Sequence, residues 1–267
     1  EGNLDLSKNG YAKIFELGIN SPEVLFAVEF KSSVIDHAYD AYVRPSGDTK
    51  ELGKQVYSGF VPTSELVDSY EMAGDGGNFS WEKHGKDPYA NREPRFYATI
   101  LYNGADWMGR KIESFVGGKD GYKAYENAGA AGTTVTGYYL RKYLIDGDKT
   151  WVTSGSGQDW IVLRYAEVLL NKAEALAMEN WNKNSAEALQ ALNDVRARVG
   201  LPARATADKE TFLEYVRHER KVELAGEGFR YWDLRRWRLA EKVIDGQNVH
   251  GVKISKQSDG SFTYEQV

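Results

Sequence analysis

Cysteine is absent from this chain of 267 residues. Disulfides, thiolate nucleophiles and cysteine-type zinc sites are therefore excluded. Histidine is scarce: His37, His84, His218 and His250 show no metal-ligand spacing, and no HExxH occurs. No GxSxG nucleophile elbow is present. Gly74–Gly77 and Gly117-Gly118 lack the Lys-Ser/Thr of a phosphate loop and read as turns. Asp75, Asp87 and Asp120 invite a calcium reading but have no EF-hand spacing. No apolar run approaches the roughly 18–20 residues of a membrane span, and the longest, Val24 to Phe30, carries Glu29. Nor is there a basic excess. The balance of 34 Lys and Arg against 39 Asp and Glu leaves −5, whereas a nucleic-acid groove needs clustered positive charge.

What is present fits a folded chain with enough apolar material for one large domain or two small ones: 42% hydrophobic and 27% charged residues. Aromatics are abundant, with 17 Tyr, 10 Phe and 7 Trp, and many fall in glycine-rich, non-helical segments. Three parts are distinguishable within a single domain: loop-rich 1–159, helical 160–245 and a β-hairpin at 246–267. The expected fold class is mainly α, with tetratricopeptide-like helical hairpins, a long loop-rich segment and a few short strands.

In the first part, residues 1–17 read as a helix with Tyr11, Ile14 and Phe15 on one side, stopped by Gly18. Val24, Phe26, Val28 and Phe30 alternate, which predicts a strand over 23–30. Residues 31–61 have no clear period. A helix is predicted over Ser64 to Met72, with Thr63 as N-cap. Phe96 to Tyr102 and Tyr138 to Tyr143 read as strands within the loop-rich 73–159 stretch, and a loop region that long in a compact fold is usually functional.

From Trp160 the pattern becomes helical. Val162, Tyr165, Ala166, Leu169, Ala173, Leu176 and Ala177 follow the spacing of a buried stripe. A second helix is predicted to open at Asn184-Ser185-Ala186-Glu187, an Asn version of the capping box, and to bury Ala188, Leu192, Val195 and Val199 before Gly200 and Pro202 end it. A third runs roughly over 208–225 with Phe212, Val216, Glu219 and Glu223 on one face. A fourth runs over Tyr231 to Val243, with Trp232 and Trp237 assigned to the core. Val249 to Ile254 and Phe262 to Tyr264, joined through Asp259-Gly260, read as a hairpin.

Arg164, Glu167, Glu219, Arg220, Glu223, Arg230, Asp233, Arg235 and Arg236 sit among these apolar stripes. One reading is a glycosidase-like carboxylate pair. The other is a buried arginine–carboxylate network that pins helices together. The second is preferred. Nearby arginines would keep Glu219 and Glu223 ionised, whereas a general acid at neutral pH needs a raised pKa. Arginine also supplies the planar two-pronged geometry that fixes helix register.

Several segments, taken in order, resemble the SusD/RagB family of surface nutrient-binding lipoproteins: Ser21-Pro22-Glu23-Val24-Leu25-Phe26, Pro62 to Glu71, Asn91-Arg92-Glu93-Pro94-Arg95-Phe96, Thr136-Gly137-Tyr138-Tyr139, Leu163 to Leu170, Glu219 to Leu224 and Arg230 to Trp237. Glu93 replaces a more usual aspartate and keeps its charge. Family members are about twice this long, so the chain resembles a C-terminal half, and a signal peptide and lipid anchor would lie outside it. The resemblance implies a non-catalytic protein on the outer face of the outer membrane. Such a protein binds oligosaccharides, or in some members peptides, and serves a SusC-like TonB-dependent transporter. No cofactor is expected, and no residue is assigned as a metal ligand. Sugar recognition favours aromatic faces beside polar groups. Tyr39, Tyr42, Tyr57, Trp81 and Trp107, all in irregular segments, are the candidate platforms. An interaction scaffold whose helical hairpin docks a protein partner is the alternative reading, and a retaining glycosidase is the third.

Overall fold

The computed structural model describes residues 6–121 and 133–267. The first five residues of the expected opening helix, and 122–132 of the loop-rich part, lie outside the described residues. Helices predominate, and among the described residues strands pair only two by two.

Helix α1 (Leu6–Leu17) buries Tyr11, Ile14 and Phe15 as its spacing requires. It ends at Gly18, where φ is +54° and a Cβ would collide with the Asp159 carboxylate. Strand β1 (Val24–Val28) forms where alternation predicts, but a register shift follows Val24, and Phe26 and Val28 face solvent. The aperiodic stretch after it holds two short helices, α2 (Tyr39–Val43) and α3 (Asp48–Leu52). Helix α4 (Ser64–Val67) is shorter than the sequence pattern, and Thr63 occupies its N-cap position without a side-chain capping bond. After α5 (Trp81–His84) comes α6 (Pro94–Thr99), where the residue pattern predicts a strand. Pro94 explains the difference, because in the first helical turn its fixed φ is pre-set and its missing N–H costs nothing. Only Ile100–Leu101 (β2) is extended. The small β3 (Asp106–Trp107) and β4 (Arg110–Lys111) pair with each other, and β5 (Tyr139–Leu140) pairs with β2. Helix α7 (Trp151–Ser154) closes the loop-rich part.

The next five residues are strand β6 (Trp160–Arg164), antiparallel to β1, and not the first turn of a helix. Helix α8 (Tyr165–Arg198) then starts and breaks at Asn180 (φ −162°, ψ 94°). The two arms run back along each other, as the Lys172–Glu187 ion pair across them shows (2.8 Å). Alanines at 166, 173, 177, 188 and 191 are buried in the core these arms share with Phe212, Leu213 and Val216. The cap of the second arm is Asn180, whose Oδ1 accepts from Lys183 N at 3.2 Å. Asn184, three residues past the first helical position, is instead buried and donates to Leu176 O and Glu179 Oε2. Helix α9 (Lys209–Glu223) is capped by Asp208, which accepts from Thr211 N at 2.7 Å.

The expected fourth helix is two, α10 (Phe229–Arg236) and α11 (Ala240–Ile244), separated by Arg238 in the left-handed region (φ +57°). That break corrects the core assignment of two tryptophans. Trp232 is 65% exposed, and Trp237 is half-buried with its Nε1 donating to Glu174. Strands β7 (Val252–Lys256) and β8 (Phe262–Gln266) make the hairpin, with Gly260 at φ +86° in its turn. Val252 and Ile254 join a core of Tyr70, Tyr89, Phe96, Tyr138 and Val222.

The seam between frame and loops is polar. Arg164 reaches Glu23 (2.8 Å), Glu223 (2.6 Å) and both oxygens of Glu227 (2.6 Å each). Arg95 holds Glu93 through two nitrogens (2.6 and 3.2 Å) and also contacts Glu219 and Glu223. Arg196 takes both oxygens of Glu71 (2.8 and 2.9 Å) and Glu219 (3.0 Å), and Arg198 chelates Glu23 and contacts Glu223. Lys142 donates to Glu227 and Tyr11 (2.6 Å each). The charged side chains of this network are at most 2% exposed. Of the nine charges singled out by sequence, Arg164, Glu219, Arg220, Glu223 and Asp233 are buried. Glu167 and Arg230 are half-buried, and Arg235 and Arg236 are exposed. Burial alone would raise the Glu219 and Glu227 carboxyls. Arg95 and Arg196 outweigh it at Glu219, as Arg164 and Lys142 do at Glu227, and both lie below the usual 4.5. Glu23 is lowered likewise by Arg198 and Arg164 against its burial.

Two predictions follow from this seam. Removing one partner strands a buried charge, so Glu223→Ala or Arg164→Ala should cost about 3–5 kcal/mol, read by denaturant unfolding or as loss of soluble protein; a Glu223→Ala protein of unchanged stability contradicts the assignment. The depressed carboxyls give a second test. Their contribution is complete above the unfolded value of 4.5 and is lost as pH falls through the lower folded values. The thermal midpoint should therefore fall as pH drops below about 4.5, and a midpoint insensitive to acid in that range would show the carboxylates unpaired.

Candidate functional site

Helix α2 is only five residues long, and its position is set by Arg44, which follows it. Arg44 is fully buried, bonds Asp40 at 2.7 Å and the carbonyls of Ile145 and Asp148, and lies over the rings of Trp107 (5.2 Å) and Trp151 (5.1 Å). A second clamp lies beneath. Arg110 bridges Asp48 and Asp120, and Asp120 Oδ1 accepts from Gly47 N. A Cβ on Gly47 would stand 2.5 Å from that oxygen, so the close approach needs glycine.

On this base the 57–60 segment is strapped back across α2. Tyr57 N donates to Ala41 O at 2.7 Å, and Gly59 N donates to Tyr42 O at 2.7 Å. Ser58, at φ +46°, turns the chain there, and its hydroxyl donates to Arg44 O. The result is a ring stack: Tyr42 and Tyr57 lie 5.2 Å apart at 28°, and Phe60 meets Tyr42 edge-on at 6.3 Å. All three are open to solvent, at 45%, 46% and 63%. Ala41 of the same helix, with Ala38 at its N-cap, also lines a cavity of about 780 Å³, together with Asp36, His37, Lys54 and Trp151. Its ammonium is held in place: Lys54 Nζ donates to Trp151 O and Val152 O. The arrangement offers flat apolar faces next to hydroxyl, carboxylate and imidazole groups. It contains no nucleophile–base pair at hydrogen-bonding distance among the described residues.

The five aromatic candidates divide. Tyr42 and Tyr57 come together on the surface. Tyr39 is half-buried, packs against Tyr143 and Trp160 and donates its hydroxyl to Lys142 O, so it belongs to the interior beneath. Trp107 is 0% exposed and donates to Asp48, and it has no face to offer a ligand. Trp81 stands apart, half-buried against the Tyr70–Phe96 core with Nε1 on Asp68. Phe60 completes the stack and was not among the candidates; its spacing of three from Tyr57 in the same glycine-bearing segment was the available signal. Asp75, Asp87 and Asp120 do not converge, and among the described residues no group of three or more His, Asp or Glu is placed to hold a metal.

Comparison with known proteins agrees with this architecture. A SusD-like protein of Bacteroides fragilis superposes with a TM-score of 0.77 at 26% identity, over 97% of this chain and 52% of that one. A SusD-like carbohydrate-binding protein from the same organism gives 0.75 at 28% identity, over 91% and 47%. SusD-like protein P38 of Formosa agariphila is 32% identical over 133 residues, 46% of this chain and 25% of that protein. The chain thus spans about half the length, or less, of the relatives it matches. A sequence model of the SusD family matches residues 22–267, and the chain belongs to that family.

Proposed function

We propose that this chain captures oligosaccharide on the Tyr42–Tyr57–Phe60 face, with polar groups of the neighbouring cavity taking hydroxyls, and does no chemistry on what it binds. The observation that carries the reading is the exposed, stacked tyrosine pair. Large rings left open to water lose nothing by meeting the C–H face of a sugar, and stacking there adds to the area effect. A family relative described as carbohydrate-binding supports the ligand class. Passive binding is favoured because the carboxylates best placed in sequence for glycosidase work, Glu219 and Glu223, are sealed among arginines, and arginine holds Glu219 below its ordinary pKa against the burial that would raise it. In the full setting the bound glycan would be delivered to a SusC-like TonB-dependent transporter at the outer face of the outer membrane. The α8 hairpin, with Val168 and Met178 exposed, is a second surface on which a protein partner could dock.

Tyr57→Ala and Tyr42→Ala should each weaken oligosaccharide binding by roughly two- to tenfold in calorimetry, since an aromatic stack is worth about 0.5–1.5 kcal/mol. Stability should change by less than about 1 kcal/mol, because both rings are surface groups. Trp107→Ala should do the reverse, costing about 3–5 kcal/mol of folding stability. Unaltered glycan affinity in both tyrosine variants, or release of new reducing ends on incubation, contradicts the proposal.

A further inference from the structure

Among the described residues nearly every half-buried or buried arginine contacts a carboxylate or a set of backbone carbonyls. Arg230, on α10, is the exception. It is half-buried, yet among the described residues it makes no hydrogen bond and no ion pair. The nearest acid acting on it, Asp233, is already taken by Arg220 and Arg236 at 2.8 Å each. Facing Arg230 is Lys221 of α9, also half-buried, whose ammonium among the described residues donates to a single backbone carbonyl, that of Glu65. Burial first, and then the neighbouring Arg230 charge, push Lys221 down to about 8. Glu65 and Asp68 offset this in part, but the Glu65 carboxylate is turned to His250, accepting from its backbone N (3.0 Å) and pairing with its Nδ1 (2.6 Å). Asp68 accepts from Trp81.

The two cations share a groove of about 620 Å³ whose lining includes none of the three stacked rings. Its walls also include Leu66, Val243, Ile244 and Val249, with the paired Glu65 and His250 and the amides of Gln247 and Asn248 beside them. Val243, Ile244 and Val249 are exposed, although large aliphatic side chains lose free energy by facing water. Two cations stand here against one lining carboxylate, Glu65, which already pairs with His250; excess positive charge at the end of an apolar trough of small-molecule size has one kind of complement.

We propose that this groove is a second binding site, for a carboxylate carried on an apolar body, with Lys221 and Arg230 holding the oxyanion and Val243, Ile244 and Val249 covering the body. Arg230 supplies a planar fork suited to a carboxylate, and Lys221 a point charge beside it. A hydroxylated acid such as a uronate offers the same oxyanion but leaves the aliphatic wall facing hydroxyl groups, so the apolar acid is the preferred source.

The test is a set of calorimetric titrations of the intact chain with octanoate, octanol and glucuronate, against the unaltered protein, Arg230→Gln and Lys221→Gln. Octanoate should bind, and each substitution should weaken it by about tenfold or more, the scale of one lost charged contact. Octanol and glucuronate should bind more weakly than octanoate by about the same factor. Methyl resonances of Ile244 and Val249 should shift on octanoate addition, which reads the site directly even if one variant folds poorly. Equal binding of octanol, or full octanoate binding by a folded Arg230→Gln protein, overturns the role of the two cations. Glucuronate binding as tight as octanoate overturns the apolar body. Tyr42→Ala and Tyr57→Ala should leave octanoate binding unchanged, so failure here is separable from failure of the glycan reading.

Discussion

The structure depends on a set of guanidinium–carboxylate contacts buried away from the protein surface. Arg95, Arg164, Arg196 and Arg198 each serve two or more carboxylates, and Glu223 alone is shared by Arg95, Arg164 and Arg198. Removing such ions from water costs several kcal/mol apiece, and mutual attraction repays this only when the geometry satisfies nearly every prong. A network of this kind need not make the fold more stable than an apolar core would. It makes alternatives costly, because any shift of one segment leaves a charge buried and alone.

The position of the network gives it structural consequence. Glu23 precedes β1, Glu71 follows α4, and Glu93 and Arg95 straddle the start of α6. Their partners stand at the end of β6, at the end of α8 and on α9. Past β1, the described residues of the loop-rich part form only short helices and two-residue strands, with little repetitive hydrogen bonding of their own. It is held by being fastened, residue by residue, to the helical frame. Farther out, the Arg44–Trp107–Trp151 stack does the same on a smaller scale for α2, and so fixes the outward-facing rings. The polar seam and the ring face therefore divide the work. One is dry, ionised and closed, and the other is wet, apolar and open.

Much of the frame was legible in the sequence because helical periodicity is local. The stripes of α8 and α9 and the shared face of Glu219 and Glu223 can be read within a few turns. The partners of those glutamates could not be found that way. Arg95 lies 124 residues from Glu219, and Arg164 lies 141 from Glu23. Where local signals misled, a neighbour had overridden them. Pro94 nucleated a helix in a β-like stretch, β1 drew Trp160–Arg164 into a strand, and Asn180 took a cap that Asn184 seemed to offer. Among the aromatics, residue type and loop location could not separate Trp107, which fills the base under α2, from Tyr42 and Tyr57 above it. Exposure there is decided by which side of a five-residue helix faces Arg44, and no sequence period encodes that. Trp232 shows the opposite failure, a ring on a helix assigned inward and found outside.

The most direct test of this account is a crystal structure of the chain with an oligosaccharide it retains. The account predicts a sugar ring lying against Tyr42 and Tyr57, with the contacts of Arg95, Arg164 and Arg198 unchanged from the unliganded protein. A sugar seated instead against Glu219 or Glu223, with those arginines displaced to admit it, would contradict it.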